Sequence, residues 1–254
     1  MRSSKGLCLL AAVILAGCPN GASSTTDTPP LADSTTLETG TTAPTVPATR
    51  APGRTTSTSQ IDNPDPSTGA IGVVGCSNTS IAVGGYSEIS SKDLLAQGGL
   101  TNGSLAVWAN PRPARYERYW GLYDERRPST GYTGTWFQMC IRDTEHEGAF
   151  DTSEQEWIRH IVTEIHERDP GIPIWISGVN SYAAGVVCPS VGPDGPQIAS
   201  EAADWAADSI DGVIRGPDLG PLSEDEVDSD SGCHPNTLGQ ELLGQQLVEF
   251  FDQS

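Results

Sequence analysis

Lysine is almost absent from this 254-residue chain, where it occurs only at Lys5 and Lys92. Acidic residues outnumber basic residues by 33 to 14, and the formal net charge at neutral pH is −19. A polyanion of this kind repels nucleic acid and anionic lipid headgroups, so we expect neither of them as a partner. The charge is otherwise typical of an acidic surface that keeps a protein soluble.

Long apolar runs are also missing, since no segment approaches the roughly 18 consecutive apolar residues of a membrane-spanning helix. The apolar stretch 7–15 follows Arg2 and Lys5 and ends in Leu-Ala-Gly-Cys18, which resembles the lipobox of bacterial lipoproteins. We therefore expect a signal peptide over residues 1–18 and a lipid on Cys18. The protein would then lie outside the cytoplasm in the cell envelope, touching the membrane through this lipid alone. An ordinary signal peptide with a chance cysteine is the alternative.

Aromatic residues are absent from residues 19–68, which are rich in Ser, Thr, Pro, Ala and Gly. Such a segment cannot bury enough apolar surface to offset its chain entropy, so we expect a disordered tether. All six tryptophans lie in residues 69–254. That segment is predicted to form a single folded domain with its own core.

The chain has no Cys-x-x-Cys motif, which makes a structural zinc site improbable. Beyond the leader and Cys18, the cysteines are Cys76, Cys140, Cys188 and Cys233. An even number of cysteines in an exported domain predicts two disulfides. Four cysteines allow three pairings, and their spacing alone does not choose among them.

Strand-like and helix-like patterns alternate along the domain. Short apolar runs predict strands at 70–75, 104–108, 135–140, 172–177 and 212–214. Helical spacing of apolar residues predicts helices at 77–96, 116–125, 153–169, 198–207 and 238–251. Ser153 and Glu156 resemble a capping box at the start of the third helix. The alternation indicates βαβ units around a parallel sheet, whose chemistry collects at the carboxyl ends of the strands.

Two residues at these loop positions have catalytic side chains. Ser77 follows the first predicted strand directly, and His234 precedes Pro235 and Asn236 at the start of the last helix. A serine hydroxyl becomes a nucleophile when a base lies within hydrogen-bond reach, and imidazole is the usual base at neutral pH. The alternative is that Ser77 only caps the following helix.

The residues around both positions resemble one enzyme family. Gly75-Cys76-Ser77-Asn78-Thr79 resembles the Gly-Asp-Ser block of the SGNH (GDSL-like) hydrolases, with Cys76 in place of Asp. Residues 233–239 are similar to its His-Pro-Asn-x-x-Gly block, and residues 136–143 to the strand that leads into its Gly-x-Asn-Asp block.

This resemblance implies a fold and a reaction. The fold is a three-layer α/β/α domain of flavodoxin-like type, with a doubly wound, mostly parallel sheet of about five strands. Ser77 would be the nucleophile and His234 the base in the hydrolysis of a carboxylic ester, such as an acylated carbohydrate or a small acetyl ester, through an acyl-enzyme. No metal, no organic cofactor and a monomeric state are expected.

Other roles follow from the same resemblance. Ser231 stands where the family has its triad aspartate, so Asp230, or else Asp228, is expected to serve instead. The oxyanion donors are expected to be the Ser77 amide, Arg142 and Asn110. A salt bridge to a neighbouring carboxylate is the alternative role of Arg142.

The disulfides implied by this map are Cys76–Cys140, between neighbouring strands, and Cys188–Cys233, between two loops.

A different function stays open beside the esterase. The chain could be a catalytically degenerate descendant that binds a cell-envelope glycan on Tyr116, Tyr119 and Trp120, or a surface-display protein. Those aromatic residues would otherwise belong to the core.

Overall fold

The computed structural model describes residues 69–92, 94–95, 103–110, 113–145 and 148–252. The expected signal peptide 1–18, its lipidated Cys18 and the tether 19–68 lie outside the described residues. Within the described ranges, no helix is long and apolar enough to cross a membrane.

A parallel sheet of four strands forms the centre of the described domain. Its order is β1-β2-β3-β4, with every neighbouring pair parallel. The strands are β1 (Ile71–Val74), β2 (Gly134–Met139), β3 (Ile174–Gly178) and β4 (Val213–Arg215). Nearly all of their residues are buried, which explains why these strands read as continuous apolar runs in the sequence.

Six helices surround this sheet in the described part of the chain. They are α1 (Ser77–Ile89), α2 (Leu105–Ala109), α3 (Pro113–Arg126), α4 (Thr152–Arg168), α5 (Gly195–Ser209) and α6 (Thr237–Phe251). Phe251 of α6 packs edge-on against Trp136 and Trp175 on one face of the sheet. Tyr123 of α3 reaches Thr135, whose side chain points to the opposite face. The predicted three-layer α/β/α fold is therefore confirmed.

The order of the sheet changes direction at β1. After α1 the chain makes a single parallel bridge between Leu95 and Ile71, on one side of β1, and then returns through α2 and α3 to β2 on the other side. With this bridge counted as an edge position, the order is that of a doubly wound, flavodoxin-like sheet. The carboxyl ends of β1 and β2 therefore border the switch point, where such sheets bind ligands.

Two local predictions are wrong. Residues 104–108 were expected to form a strand, but helix α2 occupies Leu105–Ala109. A short apolar run is compatible with a buried helix as well as with a strand, and packing of Trp108 against Trp120 decides here for the helix. The capping box of α4 joins Asp151 and Glu154 rather than Ser153 and Glu156.

The aromatic residues proposed as a glycan-stacking surface lie inside the domain. Trp120 is 1% exposed and Tyr119 is 4% exposed, and both rings contact Trp108. Tyr116 is partly buried and packs against the same core. Tyr119 and Trp120 therefore stabilise the interior and do not present a binding surface, while Tyr116 is partly exposed at its edge.

Candidate active site

Ser77 lies at the first helical position after β1. Cys76 occupies the N-cap position of α1, so the hydroxyl of Ser77 is not the helix cap. The turn is held by Thr79, whose Oγ1 accepts a hydrogen bond from the Cys76 N–H at 2.9 Å and donates one to Gln138 Oε1 at 2.7 Å. Gln138 belongs to β2, so the position of Ser77 is tied to the neighbouring strand. The amino end of a helix also provides a partial positive charge at this point.

His234 belongs to an irregular segment that precedes α6. The Asn236 side chain caps α6 by accepting hydrogen bonds from the backbone N–H groups of Leu238 and Gly239. Its amide nitrogen also donates to the carbonyl of Val227, and Pro235 forms an antiparallel bridge with Val227. The His-Pro-Asn sequence therefore fixes where the segment meets the helix.

The structure brings the two expected catalytic side chains together. Ser77 Oγ lies 2.8 Å from His234 Nε2, although 157 residues separate them in the sequence. This distance is within the range in which a histidine can take a proton from a serine hydroxyl. Nε2 accepts that proton when the ring carries its own hydrogen on Nδ1. Both side chains are partly exposed and face a pocket.

The pocket is a cavity of about 110 Å³ at the carboxyl ends of β1 and β2. The described residues that line it are twelve: Cys76, Ser77, Asn78, Ser104, Cys140, Arg142, Val179, Cys188, Ser190, Val191, Cys233 and His234. No acidic side chain is among them, despite the strongly acidic composition of the chain. Arg142 is the one permanently charged group among these described lining residues, and it favours developing negative charge over cations.

The expected oxyanion donors are only partly assembled. Arg142 lines the cavity, and the backbone amide of Ser77 lies at the helix terminus beside it. Asn110 does not line the cavity, because it is the exposed C-cap residue of α2. The expectation for Asn110 is wrong because it assumed a strand where the chain forms α2.

Ser104 takes the place in the wall that was expected for Asn110. Its hydroxyl donates to Glu145 Oε1 at 2.6 Å, and Glu145 Oε2 accepts from the Arg142 N–H at 3.4 Å. The preceding Gly103 lies so close to the Gly75 carbonyl that a Cβ there would overlap it. The signal that sequence reasoning could have used is the Gly-Ser pair directly before the apolar run of α2, where Ser104 is the N-cap residue.

The structure does not place the expected aspartates at the imidazole. Asp230 and Asp228 are both exposed, and Asp228 Oδ1 accepts a hydrogen bond from the Asp230 N–H at 2.9 Å. Asp228 reaches His234 only through its N–H, which donates to the His234 carbonyl at 2.7 Å. Across the described ranges, no hydrogen bond or ion pair joins a carboxylate to the His234 ring.

Ser231 occupies the position of the family aspartate and has a different role. Its Oγ accepts hydrogen bonds from the backbone N–H of Cys233 at 3.2 Å and of His234 at 3.0 Å. It therefore orders the main chain next to the imidazole and does not contact the ring.

Both implied disulfides are present. Cys76–Cys140 joins the ends of β1 and β2, and Cys188–Cys233 joins two loops, with Cα atoms 6.2 Å and 4.4 Å apart. All four cysteines line the cavity. The first bridge lies next to the serine and the second lies next to the histidine.

Among the described residues there is no group of three or more His, Cys, Asp or Glu side chains arranged to hold a metal ion.

No protein-family model matches the chain, and no curated protein matches it in sequence. Among solved structures, the chain is similar to a carbohydrate esterase family 3 protein from Talaromyces cellulolyticus, with a TM-score of 0.47 and 12% identity. This similarity covers 74% of the present chain and 100% of the other.

Proposed function

We propose that this protein is a serine esterase that hydrolyses a carboxylic ester through an acyl-enzyme on Ser77. The observation that carries the proposal is the 2.8 Å contact between Ser77 Oγ and His234 Nε2, at a cavity whose described lining residues include no acidic side chain. A binding protein has no need for a serine and a histidine in this relation. The resemblance of residues 75–79 and 233–239 to the two ends of the SGNH pattern supports the same reaction.

In this reaction Ser77 Oγ attacks the carbonyl carbon of the ester while His234 Nε2 takes the hydroxyl proton. The negative charge that develops on the carbonyl oxygen is stabilised by the Ser77 amide and the Arg142 guanidinium. His234 then gives its proton to the departing alcohol. Water then attacks the acyl-enzyme while His234 takes one of its protons, and His234 returns this proton to Ser77 Oγ as the C–O bond to the acyl group breaks and the acid leaves.

The size of the cavity favours a short acyl group. A volume of about 110 Å³ is well below the roughly 300 Å³ at which pockets for whole small-molecule ligands begin. We therefore propose an acetyl or similar ester of a carbohydrate or small alcohol, whose alcohol portion lies outside the cavity. The acidic surface favours a neutral alcohol over an anionic one.

We place this activity outside the cytoplasm, on a monomer tethered by lipid on Cys18. The leader pattern ending at Cys18 and the two disulfides support this location. The test is incorporation of a labelled fatty acid into the chain expressed in a bacterial host. Label that persists in Cys18→Ser would contradict the anchor.

The activity is tested on the full chain in mild detergent, with p-nitrophenyl acetate as substrate and a fluorophosphonate as the serine probe. We expect Ser77→Ala to abolish labelling. We also expect Ser77→Ala and His234→Ala each to lower kcat by roughly 10³-fold or more. Ser80→Ala is the matched control, because Ser80 lies one turn further along α1 and outside the cavity wall. Turnover that survives in Ser77→Ala would overturn the proposal.

The second candidate is a catalytically degenerate binder of the same fold. It is favoured by one observation, that no carboxylate of the described residues contacts the His234 ring. A triad that loses its aspartate retains some activity, but at a much lower rate. Failure of the folded wild-type chain to react with the probe or the ester would favour this candidate over the esterase.

A further inference from the structure

A small polar cluster lies beside the residues next to Ser77 and His234 in the chain. It consists of Asn78, Asn180 and Tyr182. Asn180 is 0% exposed and Asn78 is 5% exposed, and the Tyr182 hydroxyl is a polar neighbour of both amides.

Tyr182 is the centre of this cluster. Its hydroxyl donates a hydrogen bond to the carbonyl of Cys233 at 2.8 Å. Burial raises the pKa of Tyr182, while the nearby amides of Asn180 and Asn78 act in the opposite direction. The hydroxyl therefore stays protonated at neutral pH and lies close to both amides.

The Tyr182 hydroxyl lies between the chain segments that carry Ser77 and His234. Asn78 follows Ser77 in the chain, and Cys233 precedes His234. Tyr182 itself comes from the loop after β3 and is also bridged to Leu222. One side chain from a third segment thus contacts the immediate neighbours of both the nucleophile and the base.

The histidine needs such support because its ring has no carboxylate partner. In a catalytic triad a carboxylate at Nδ1 fixes both the tautomer and the orientation of the imidazole. Here the orientation must come from the main chain of residues 233–234. This main chain is held by the Ser231 hydroxyl, by the Asp228 N–H, by the Cys188–Cys233 disulfide and by Tyr182.

We propose that Tyr182 is a positioning residue, whose hydroxyl sets the distance between Ser77 Oγ and His234 Nε2 by holding the Cys233 carbonyl beside Asn78. The proposal rests on the esterase function proposed above. Tyr182 does not touch the substrate in this arrangement. It acts by keeping the base within reach of the nucleophile, which matters because misplacement by about 1 Å can cost around 100-fold in rate.

The test is Tyr182→Phe, which keeps the ring and removes only the hydroxyl. We expect kcat for p-nitrophenyl acetate and the rate of fluorophosphonate labelling to fall by roughly 10- to 100-fold. KM should change by less than about twofold, because the cavity wall is intact. The control is Tyr132→Phe, which removes a hydroxyl that donates to the Tyr123 carbonyl at 3.1 Å in the core, away from the cavity. Its labelling rate should remain that of the wild type.

A double variant separates positioning from a general structural defect. If Tyr182 acts through the imidazole, adding Tyr182→Phe to His234→Ala should not lower the residual labelling rate further. A further loss as large as that in the wild-type background would overturn the proposal, as would wild-type labelling of Tyr182→Phe. The effect of Tyr182→Phe on the labelling rate can still be compared between the wild-type and His234→Ala backgrounds if Tyr182→Phe lowers the unfolding temperature. Both backgrounds then carry the same loss of stability.

This outcome is distinct from failure of the proposed function. If the wild-type chain is not labelled at all, the esterase proposal fails. If the wild-type chain is labelled and Tyr182→Phe is labelled equally fast, the esterase remains and only the role of Tyr182 is wrong.

Discussion

Ser77 and His234 meet at one cavity, but the segments that carry them are held in different ways. Ser77 follows β1, which pairs with β2 in register from Ile71 to Val74, and its turn is bonded to Gln138 of the sheet. His234 lies in a segment of turns outside the sheet, held by a disulfide, by the Ser231 and Tyr182 hydroxyls and by the Asp228 N–H, which donates to the His234 carbonyl.

The comparison teaches that stability and activity depend on different sides of the site. Contacts on the serine side also join the sheet to its helices, so damage there should lower the free energy of unfolding of the whole domain. Contacts on the histidine side order a short surface segment, so damage there should lower activity first. Local segments of this kind open at lower free energy than the core does.

Removal of each disulfide in turn should show the largest difference between the serine side and the histidine side of the site. The bridges close loops of 64 and 45 residues, so chain entropy assigns each of them about 4 kcal/mol of stability. We expect Cys76→Ala/Cys140→Ala to lower the unfolding temperature but to keep most of its activity at low temperature, because β1 still pairs with β2. We expect Cys188→Ala/Cys233→Ala to lose activity even where it is folded. Denaturant unfolding and probe labelling at one low temperature measure both effects, and equal retention of activity would contradict the comparison.

The helix that carries Ser77 depends on a close approach to α6. A Cβ on Gly244 would overlap the backbone of Gly85 in α1, so Gly244→Ala must push the two helices apart. We expect a loss of about 3 kcal/mol in the free energy of unfolding, together with reduced activity, because α6 begins just after His234.

Gly121→Ala is the matched control, since a Cβ on Gly121 meets nothing within 4 Å. In the exposed face of α3 this change should be neutral or stabilising by up to about 1 kcal/mol. Equal effects of the two substitutions in urea unfolding would show that the contact between α1 and α6 is not tight.

Alkaline pH should act on the serine side through Tyr86 of α1. Burial raises the pKa of Tyr86 from 10.0 to about 12, and its hydroxyl donates to Asp252 at 2.8 Å. Between these values the unfolded chain has released the phenol proton while the folded chain keeps it, so stability falls as pH rises from about 10 to about 12. Tyr86 contributes roughly 2–3 kcal/mol to the free energy of unfolding in this way, and this contribution is present in full below pH 10. Tyr86→Phe should make the pH dependence of urea unfolding less steep over this range, and an unchanged slope would contradict this assignment.

The smallest effects should come from two hydroxyls that hold the backbone on either side of the site. Thr79→Val leaves the Cys76 N–H and Gln138 Oε1 without their partner in the core, and we expect a loss of roughly 2 kcal/mol. Ser231→Ala affects partly exposed N–H groups that water can reach, so its cost should be about 1 kcal/mol or less.

Activity should respond in the opposite order. Ser231→Ala is expected to lower kcat by about tenfold, because the main chain at His234 loses its acceptor. Thr79→Val is expected to stay active wherever it is folded. The measurement is kcat of both variants at a temperature below both unfolding transitions. A lower kcat for Thr79→Val than for Ser231→Ala would contradict the difference proposed between the serine and histidine sides.

Much of the fold follows from local patterns in the sequence. Buried parallel strands read as apolar runs, and β1 and β2 were predicted at 70–75 and 135–140. The helical spacing of apolar residues likewise indicated α4 and α6. The run at 104–108 was mistaken for a strand because five residues of apolar sequence fit either structure, and only packing distinguishes them.

The sequence by itself determined the order of strands and helices except at residues 104–108, and the resemblance of its end motifs to one family paired Ser77 with His234 as catalytic candidates. Only the tertiary structure decided which groups support them. Asp230 was expected at the imidazole from its distance along the chain, but it points to solvent, while Ser231, Cys188 and Tyr182 hold the segment. The physical reason is that a periodic pattern specifies helices and strands locally, whereas loop residues are brought together by contacts that have no period and span many residues.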